Sequence, residues 1–265
     1  MSNLKVGVLG GGSWGTTVAS LVTRNVPVTL WARNPVTVEE INTAHTNSTY
    51  LPGASIPDKL VATNNIAEAV SGADVIVMGI PSQNFRSVLT EVKQHIRAWV
   101  PVISLTKGLE KDSHMRMTEI ITEVMPGHPV GVLTGPNLAR EIMAGQAAAS
   151  VIAMEDDIIV RELQSIFKSG LFRVYTNNDV IGCELGGVLK NIIAIAVGMG
   201  DGQGAGDNTR SALITRGLAE VTRLGVAMGG RAETFAGLAG MGDMIATCTS
   251  PQSRNRHVGV ELGKG

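Results

Sequence analysis

Three groups of residues in this chain have the types and spacing for chemistry. In the first, Val6-Gly7-Val8-Leu9-Gly10-Gly11-Gly12-Ser13-Trp14-Gly15-Thr16, a short apolar run enters Gly-x-Gly-x-x-Gly and leaves it at helical spacing through Val18, Leu21 and Val22. In that context Gly10 makes a tight turn and Gly12 lets the backbone approach a pyrophosphate. Gly15 lets the following helix pack close to the strand, with unpaired N-terminal amides facing the phosphates. The motif points to a dinucleotide and leaves the reaction open. The second group ends the next apolar run, Val26 to Trp31, which carries Arg33-Asn34 and no acid. A carboxylate there accepts the ribose 2′-hydroxyl of NAD, whereas a guanidinium matches the 2′-phosphate of NADP. NADP is therefore favoured, with NAD not excluded; an ordinary solvated arginine is the competing reading.

The third group is Lys190 with a scatter of polar residues. Lys190 interrupts the apolar stretch Gly186-Gly187-Val188-Leu189-Lys190-Asn191-Ile192-Ile193. Burial disfavours an ammonium and lowers its pKa from about 10.4, which suits proton exchange at a carbonyl or alcohol. A lysine whose stem packs while its amine reaches water fits the same pattern. Lys107, Asp243 in Gly240-Met241-Gly242-Asp243-Met244, and Ser253-Arg254-Asn255-Arg256 are also placed oddly for a core. Together they suit a small phosphorylated carbonyl compound: an Arg–Asn pair for phosphate oxygens, a lysine to polarise a ketone, a carboxylate to hold an ammonium. Singly, each has an equally good structural explanation. The five histidines share no ligand spacing with carboxylates or cysteines, so no metal is expected.

Alternating elements must position these groups. After the first two strands, Asn65-Ile66-Ala67-Glu68 starts a helix, Asp74 to Ile80 is a buried strand, and Phe85 to Trp99 has helical periodicity. Strands follow at Val102 to Leu105, Val130 to Leu133, Ser150 to Ala153 and Phe172 to Tyr175. Helices are expected at Met115 to Met125, from Leu138, and around Ile158 to Lys168. The alternation predicts an α/β Rossmann-type dinucleotide-binding domain over 1–178, with a parallel sheet covered on both faces. From Asp179 the strands cease. Cys183 to Met199, Arg210 to Met228 and Ala232 to Cys248 read as helices, so an all-helical substrate domain is expected over 179–265. Glycine is frequent there, as at Gly186, Gly198 and Gly202. Each such residue costs roughly 1 kcal/mol against alanine inside a helix, so close packing or a ligand must compensate.

The 265 residues carry a formal net charge of -1 and only 3% aromatic side chains, so neither a basic footprint nor a stacking platform supports nucleic-acid binding. The apolar run Ile192 to Met199 falls short of the roughly 20 residues that span a bilayer and reads as a buried helix. There is no cleavable signal, and Cys183 and Cys248 form no disulfide framework, so a cytoplasmic protein with inert buried thiols is expected.

Over nearly its whole length the sequence resembles the bacterial NAD(P)-dependent glycerol-3-phosphate dehydrogenases. The resemblance rests on the glycine motif, Thr106-Lys107-Gly108-Leu109-Glu110, Thr134-Gly135-Pro136-Asn137-Leu138-Ala139, Leu185 to Asn191, Leu213-Ile214-Thr215-Arg216-Gly217, Gly240 to Asp243, and Ser253 to Arg256. It implies reversible reduction of dihydroxyacetone phosphate to sn-glycerol 3-phosphate, for phospholipid synthesis, with Lys190 exchanging the proton. It further implies cofactor contacts from Ser13, Trp14, Arg33, Lys107, Ala139 and Arg254. Substrate contacts are implied for Lys107, Gly135, Asn137, Asp243, Ser253, Arg254 and Asn255. Asn137 stands where Ser or Thr is expected. The family continues into more helices past Gly265, so the helical domain is expected to be C-terminally incomplete and to expose apolar surface. A homodimer stays open. Two alternatives remain: a related two-domain dehydrogenase of another hydroxy acid or acyl thioester, and a nucleotide-sensing protein without turnover.

Overall fold

The computed structural model describes residues 4–265. Strand and helix alternate as β1 (Val6–Leu9), α1 (Ser13–Val22), β2 (Val28–Trp31), α2 (Pro35–Ala44), β3 (Val61–Thr63), α3 (Ile66–Val70), β4 (Val75–Met78) and α4 (Ser82–Val92). They continue as β5 (Val102–Ser104), α5 (Met117–Val124), β6 (Val130–Thr134), α6 (Ala139–Met143), β7 (Ala148–Met154), α7 (Asp157–Phe167) and β8 (Phe172–Asn177). The eight strands form one sheet in the order β3-β2-β1-β4-β5-β6-β7-β8. The first six pair in parallel, with Val6 opposite both Val28 and Val75. Strand order therefore reverses between β1 and β4. The crevice at the carboxyl ends of those two strands is where open α/β sheets take ligands.

Both β1 and β4 are buried along their whole length, because a parallel sheet carries helices on each face. The pleat sends Val75 and Val77 into one apolar cluster with α1 and α7, and Ile76 and Met78 into another with α4 and α5. The helix expected to reach Trp99 ends at Val92. Trp99 takes φ 66° and lies largely exposed, a backbone conformation no helix can carry. The sequence reading passed over β3, whose three residues are too few to show alternation, and α2, which opens on Asn34 as N-cap and Pro35 at its first position.

On the outer side of α4, Arg86 bridges Glu110 at 2.8 Å and Glu123 at 2.9 Å. The Arg86 guanidinium, helped by the Ser113 hydroxyl, holds the Glu110 carboxyl down from 4.5 to about 2. A carboxyl depressed in the folded state binds fewer protons there than when unfolded. Its stabilising contribution is thus complete above about pH 4.5 and disappears as the pH falls towards 2. Denaturant midpoints measured across that interval should fall more steeply for the unaltered protein than for Glu110→Gln. Parallel curves would show that the pair contributes nothing.

The helical part comprises α8 (Val180–Gly202), α9 (Asp207–Ala227), α10 (Ala232–Phe235), a π-helical turn (Leu238–Gly242), α11 (Asp243–Thr249) and α12 (Arg254–Lys264). Two compact units divide the chain. One takes residues up to Leu133 with 139–148 and 152–178; the other takes 134–138, 149–151 and 179–265. The single helix expected from Ala232 to Cys248 is three pieces. Glycines at 237, 240 and 242 weaken its middle, and Gly240 packs so tightly on the Phe235 backbone that a Cβ would overlap the Phe235 carbonyl oxygen.

The α8 helix is 23 residues long, longer than the apolar run alone had indicated and long enough to cross a bilayer by length and composition. It nevertheless holds Glu184 and Lys190 buried and is the helix against which the others in its unit pack. Its glycines serve close packing. A Cβ at Gly198 would overlap the Arg256 carbonyl oxygen, and one at Gly259 the Ile195 carbonyl oxygen, so α8 and α12 meet nearly backbone to backbone. Gly198→Ala should therefore lower stability by about 1–3 kcal/mol through overpacking, read as a shift of the unfolding midpoint. A midpoint at or above that of the unaltered protein would contradict this tight approach.

Candidate functional site

In the first unit, the turn after β1 builds a candidate dinucleotide site. Gly10 adopts φ 121°, and a Cβ there would overlap the carbonyl oxygen of Gly79 at the end of β4. A Cβ at Gly15 would overlap the Gly10 carbonyl oxygen, whereas one at Gly12 would meet nothing within 4 Å. The first and third glycines are thus required by packing, and the second faces open space. Gly12 is also the N-cap of α1 and offers no side chain to the helix's leading amides, which leaves them available to an anion.

A pocket of about 420 Å³ opens at this point, lined by Gly10 to Gly12, the β2 end through Arg33, the β4 end through Gly79 and Ile80, and Tyr50. Arg33 is exposed at its rim. Ser13 is exposed at the start of α1. Trp14 is half-buried, with its ring edge-on to Phe172 at 6.3 Å and its Nε1 without a partner among the described residues. Lys107 is half-buried just beyond β5. Its neighbour Thr106 donates a hydrogen bond to the Ile80 carbonyl at 2.6 Å, which ties that loop to the pocket wall. Ala139 opens the short helix α6.

In the second unit, Lys190 lies on α8 with only 5% of its surface exposed, and Asp243, the first residue of α11, with 2%. Their Nζ and Oδ1 atoms are 2.8 Å apart. Lys190 Nζ also donates to Thr247 Oγ1, which itself donates to the Asp243 carbonyl oxygen at 2.7 Å. The snorkelling alternative fails, because this amine ends on a buried carboxylate. Burial by itself would drive the ammonium towards neutrality, but a carboxylate at 2.8 Å opposes this. The pair is positioned by the break before α11, since a continuous helix would carry Asp243 on a different register. Thr247 escaped the sequence reading. Its i+4 spacing from Asp243 places both on one helix face and was the available signal.

Around this pair, Asn255 Nδ2 donates to Asn191 Oδ1 at 2.8 Å, joining the first turn of α12 to the residue after Lys190. Ser253 is buried and is the N-cap of α12, its Oγ accepting from the Arg256 amide; its hydroxyl proton remains available as a donor. Arg254 is exposed at the start of that helix. Arg256 binds Asp201, which it shares with Arg210. Burial raises the Asp201 carboxyl, but the two guanidinium groups outweigh it and hold the carboxyl below its ordinary value.

Gly135 takes φ 137°. Asn137 Oδ1 accepts from the Ser150 hydroxyl at 2.6 Å, while its Nδ2 has no partner among the described residues. The amide is therefore oriented as a donor in place of the expected hydroxyl. Burial pushes the thiols of Cys183 to about 12 and Cys248 to about 11, as inert cysteines require.

Comparison with known proteins matches residues 5–159 to the N-terminal domain, and residues 179–265 to the C-terminal domain, of NAD-dependent glycerol-3-phosphate dehydrogenases. A Sphingopyxis alaskensis protein named glycerol-3-phosphate dehydrogenase [NAD(P)+] 2 is 75% identical over 99% of this chain and 79% of its own length. A Mycobacterium tuberculosis protein named glycerol-3-phosphate dehydrogenase [NAD(P)+] 1 is 56% identical over 98% of this chain and 77% of its own. The crystal structure of glycerol-3-phosphate dehydrogenase from Coxiella burnetii superposes with a TM-score of 0.93 at 39% identity, covering 99% of this chain and 81% of that one.

Proposed function

This chain belongs to the NAD-dependent glycerol-3-phosphate dehydrogenase family, and on that premise we propose that it is an NAD(P)-dependent oxidoreductase whose Lys190 exchanges a proton during reduction of dihydroxyacetone phosphate to sn-glycerol 3-phosphate. The observation that carries the reading is the buried Lys190–Asp243 pair on α8 and α11. A small, water-excluded ammonium held by a carboxylate is a proton donor fixed in place. When bound, the nicotinamide supplies or accepts the hydride. Lys190 gives its proton to the oxygen that becomes charged at C2 and takes it back in the oxidation. Asp243 and Thr247 hold Lys190 in position. The chain's part in phospholipid synthesis follows from that product, and the cytoplasm is its proposed setting.

The remaining contacts are assigned on the same basis. Residues 1–178 hold the dinucleotide: Gly10, Gly12 and Gly15 shape the phosphate turn, Ser13 and Trp14 begin its helix, and Arg33 meets the adenosine ribose. Gly12's open side and the uncapped start of α1 suit a diphosphate. Residues 179–265, with Gly135 and Asn137, hold the substrate. Arg254 and Asn255, with the Ser253 hydroxyl, meet its phosphate at the start of α12. Lys107 and Arg254 serve both ligands, and Ala139 touches the cofactor.

The purified chain, NADPH or NADH, and a panel of ketones with and without phosphate test the reading through cofactor oxidation. Rapid turnover confined to dihydroxyacetone phosphate supports it. Turnover of other hydroxy acids or acyl thioesters instead, or cofactor binding without turnover, overturns it. Arg33→Asp should move the ratio of the two cofactor affinities towards NADH, because a carboxylate repels the 2′-phosphate and accepts from a free ribose hydroxyl. An unchanged ratio would leave Arg33 as a solvated rim charge.

A further inference from the structure

Asn47 lies in the segment between α2 and β3, far in sequence from the glycine turn, and its side chain is completely buried. Its Nδ2 donates at 3.0 Å to the Gly11 carbonyl oxygen and at 3.0 Å to the Thr16 hydroxyl. The orientation of the amide is not ambiguous, since a carbonyl oxygen can only accept. Gly11 precedes the uncapped start of α1 and Thr16 lies in that helix, so one side chain spans the phosphate turn. The backbone carbonyl of Asn47 also accepts from the amides of Leu51 at 2.8 Å and Tyr50 at 3.2 Å. Tyr50 lines the same pocket as Gly10 to Gly12. Asn47 thus joins two walls of the pocket while touching neither its open space nor solvent.

We propose that Asn47 is a positioning residue for the dinucleotide, fixing the Gly11–Gly12 peptide so that the Gly12 amide is presented to the diphosphate. The inference rests on the cofactor reading above. In a planar trans peptide the carbonyl and the following N–H point in opposite directions. Anchoring the Gly11 carbonyl on a buried amide therefore turns the Gly12 N–H away from that interior side. Glycine is the residue most free to rotate out of such an orientation, and this turn has three in succession. Without Asn47 the turn must be ordered anew whenever cofactor binds, and that ordering is subtracted from affinity. The turnover step, built on Lys190 and Asp243, does not depend on it.

The test uses the full chain with Asn47→Ala and with Asn47→Asp, which keeps the side chain's size but sets a carboxylate against the Gly11 oxygen. NADPH binding is measured by calorimetry without substrate, alongside steady-state kinetics with dihydroxyacetone phosphate. The dissociation constant and KM for NADPH should rise about tenfold or more in both variants, corresponding to loss of one buried hydrogen-bonding anchor. The kcat at saturating NADPH and the KM for the ketone should stay within about twofold. A lowered unfolding temperature with unchanged NADPH affinity would make Asn47 purely structural and overturn the inference. If Asn47→Ala does not fold, the isosteric Asn47→Asp decides alone. Failure of the unaltered chain to bind NADPH would overturn the cofactor reading and this inference with it, whereas normal binding there and in both variants overturns this inference alone.

Discussion

Replacing Lys190 with alanine should lower turnover by about 10²–10⁴-fold while the dissociation constant for NADPH changes little, because a positioned proton donor is lost and no contact to the glycine turn goes with it. The reasoning depends on where the amine ends. Its Nζ is 2.8 Å from a carboxylate that is 2% exposed, so the donor is held by the fold, and a water filling the space left by truncation would be a far weaker acid than the ammonium. The loss should fall on kcat, since the proton moves only as the alkoxide develops. Alanine also leaves Asp243 without its cation. Lys190→Met, which keeps the packing of the stem, separates lost chemistry from lost stability, and turnover is to be scaled to the folded fraction seen by circular dichroism. Unchanged turnover in Lys190→Met would reassign the ion pair to packing and remove the main support for the mechanism.

The glycine turn of the first unit was legible in the sequence because its causes are local. A glycine that must adopt φ 121° at Gly10 or accept a neighbouring carbonyl at Gly15 leaves its mark at that position. The same holds for Lys190, whose charge stands out in an apolar helix. What escaped notice depends on partners distant in the chain. Asn47 reads as one polar residue in a loop until the fold brings it to Gly11. Ser253, proposed as a phosphate contact, also caps α12 with its oxygen, a second use that follows from the helix start and leaves its hydroxyl proton to donate. The break between α10 and α11 was missed because periodicity continues across it. Glycines at 237, 240 and 242 weaken that run locally, but the tight packing of Gly240 on Phe235 shows only in the fold. The arginines of the Ser253 to Arg256 stretch look alike in sequence, but Arg256 is occupied by Asp201 and Arg254 has no ion-pair partner among the described residues. The fold thus separates them into a structural cation and one exposed at the start of α12.

Asp243→Ala should destabilise the protein by about 3–5 kcal/mol and abolish most turnover, the larger stability loss of the two single changes at this pair. An ammonium left buried without its carboxylate forfeits the compensation for its desolvation, and Lys190 is 5% exposed. The amine then either loses its proton or pulls its surroundings apart to reach water, and in both cases it is no longer a fixed donor. A partner substitution distinguishes charge from shape. Lys190→Met combined with Asp243→Ala removes both charges, so its stability should recover well above that of Asp243→Ala alone, while activity stays absent. Such a result would mean that the two charges compensate one another; a double variant at least as stable as the unaltered protein would further mean that the pair is costly to the fold and is retained for the reaction it performs. The measurement is a double-mutant cycle on the unfolding free energy, with turnover followed in parallel. Stability losses that simply add would show that the Lys190 ammonium and the Asp243 carboxylate do not depend on one another, and the argument that Asp243 holds the proton donor would fail with them.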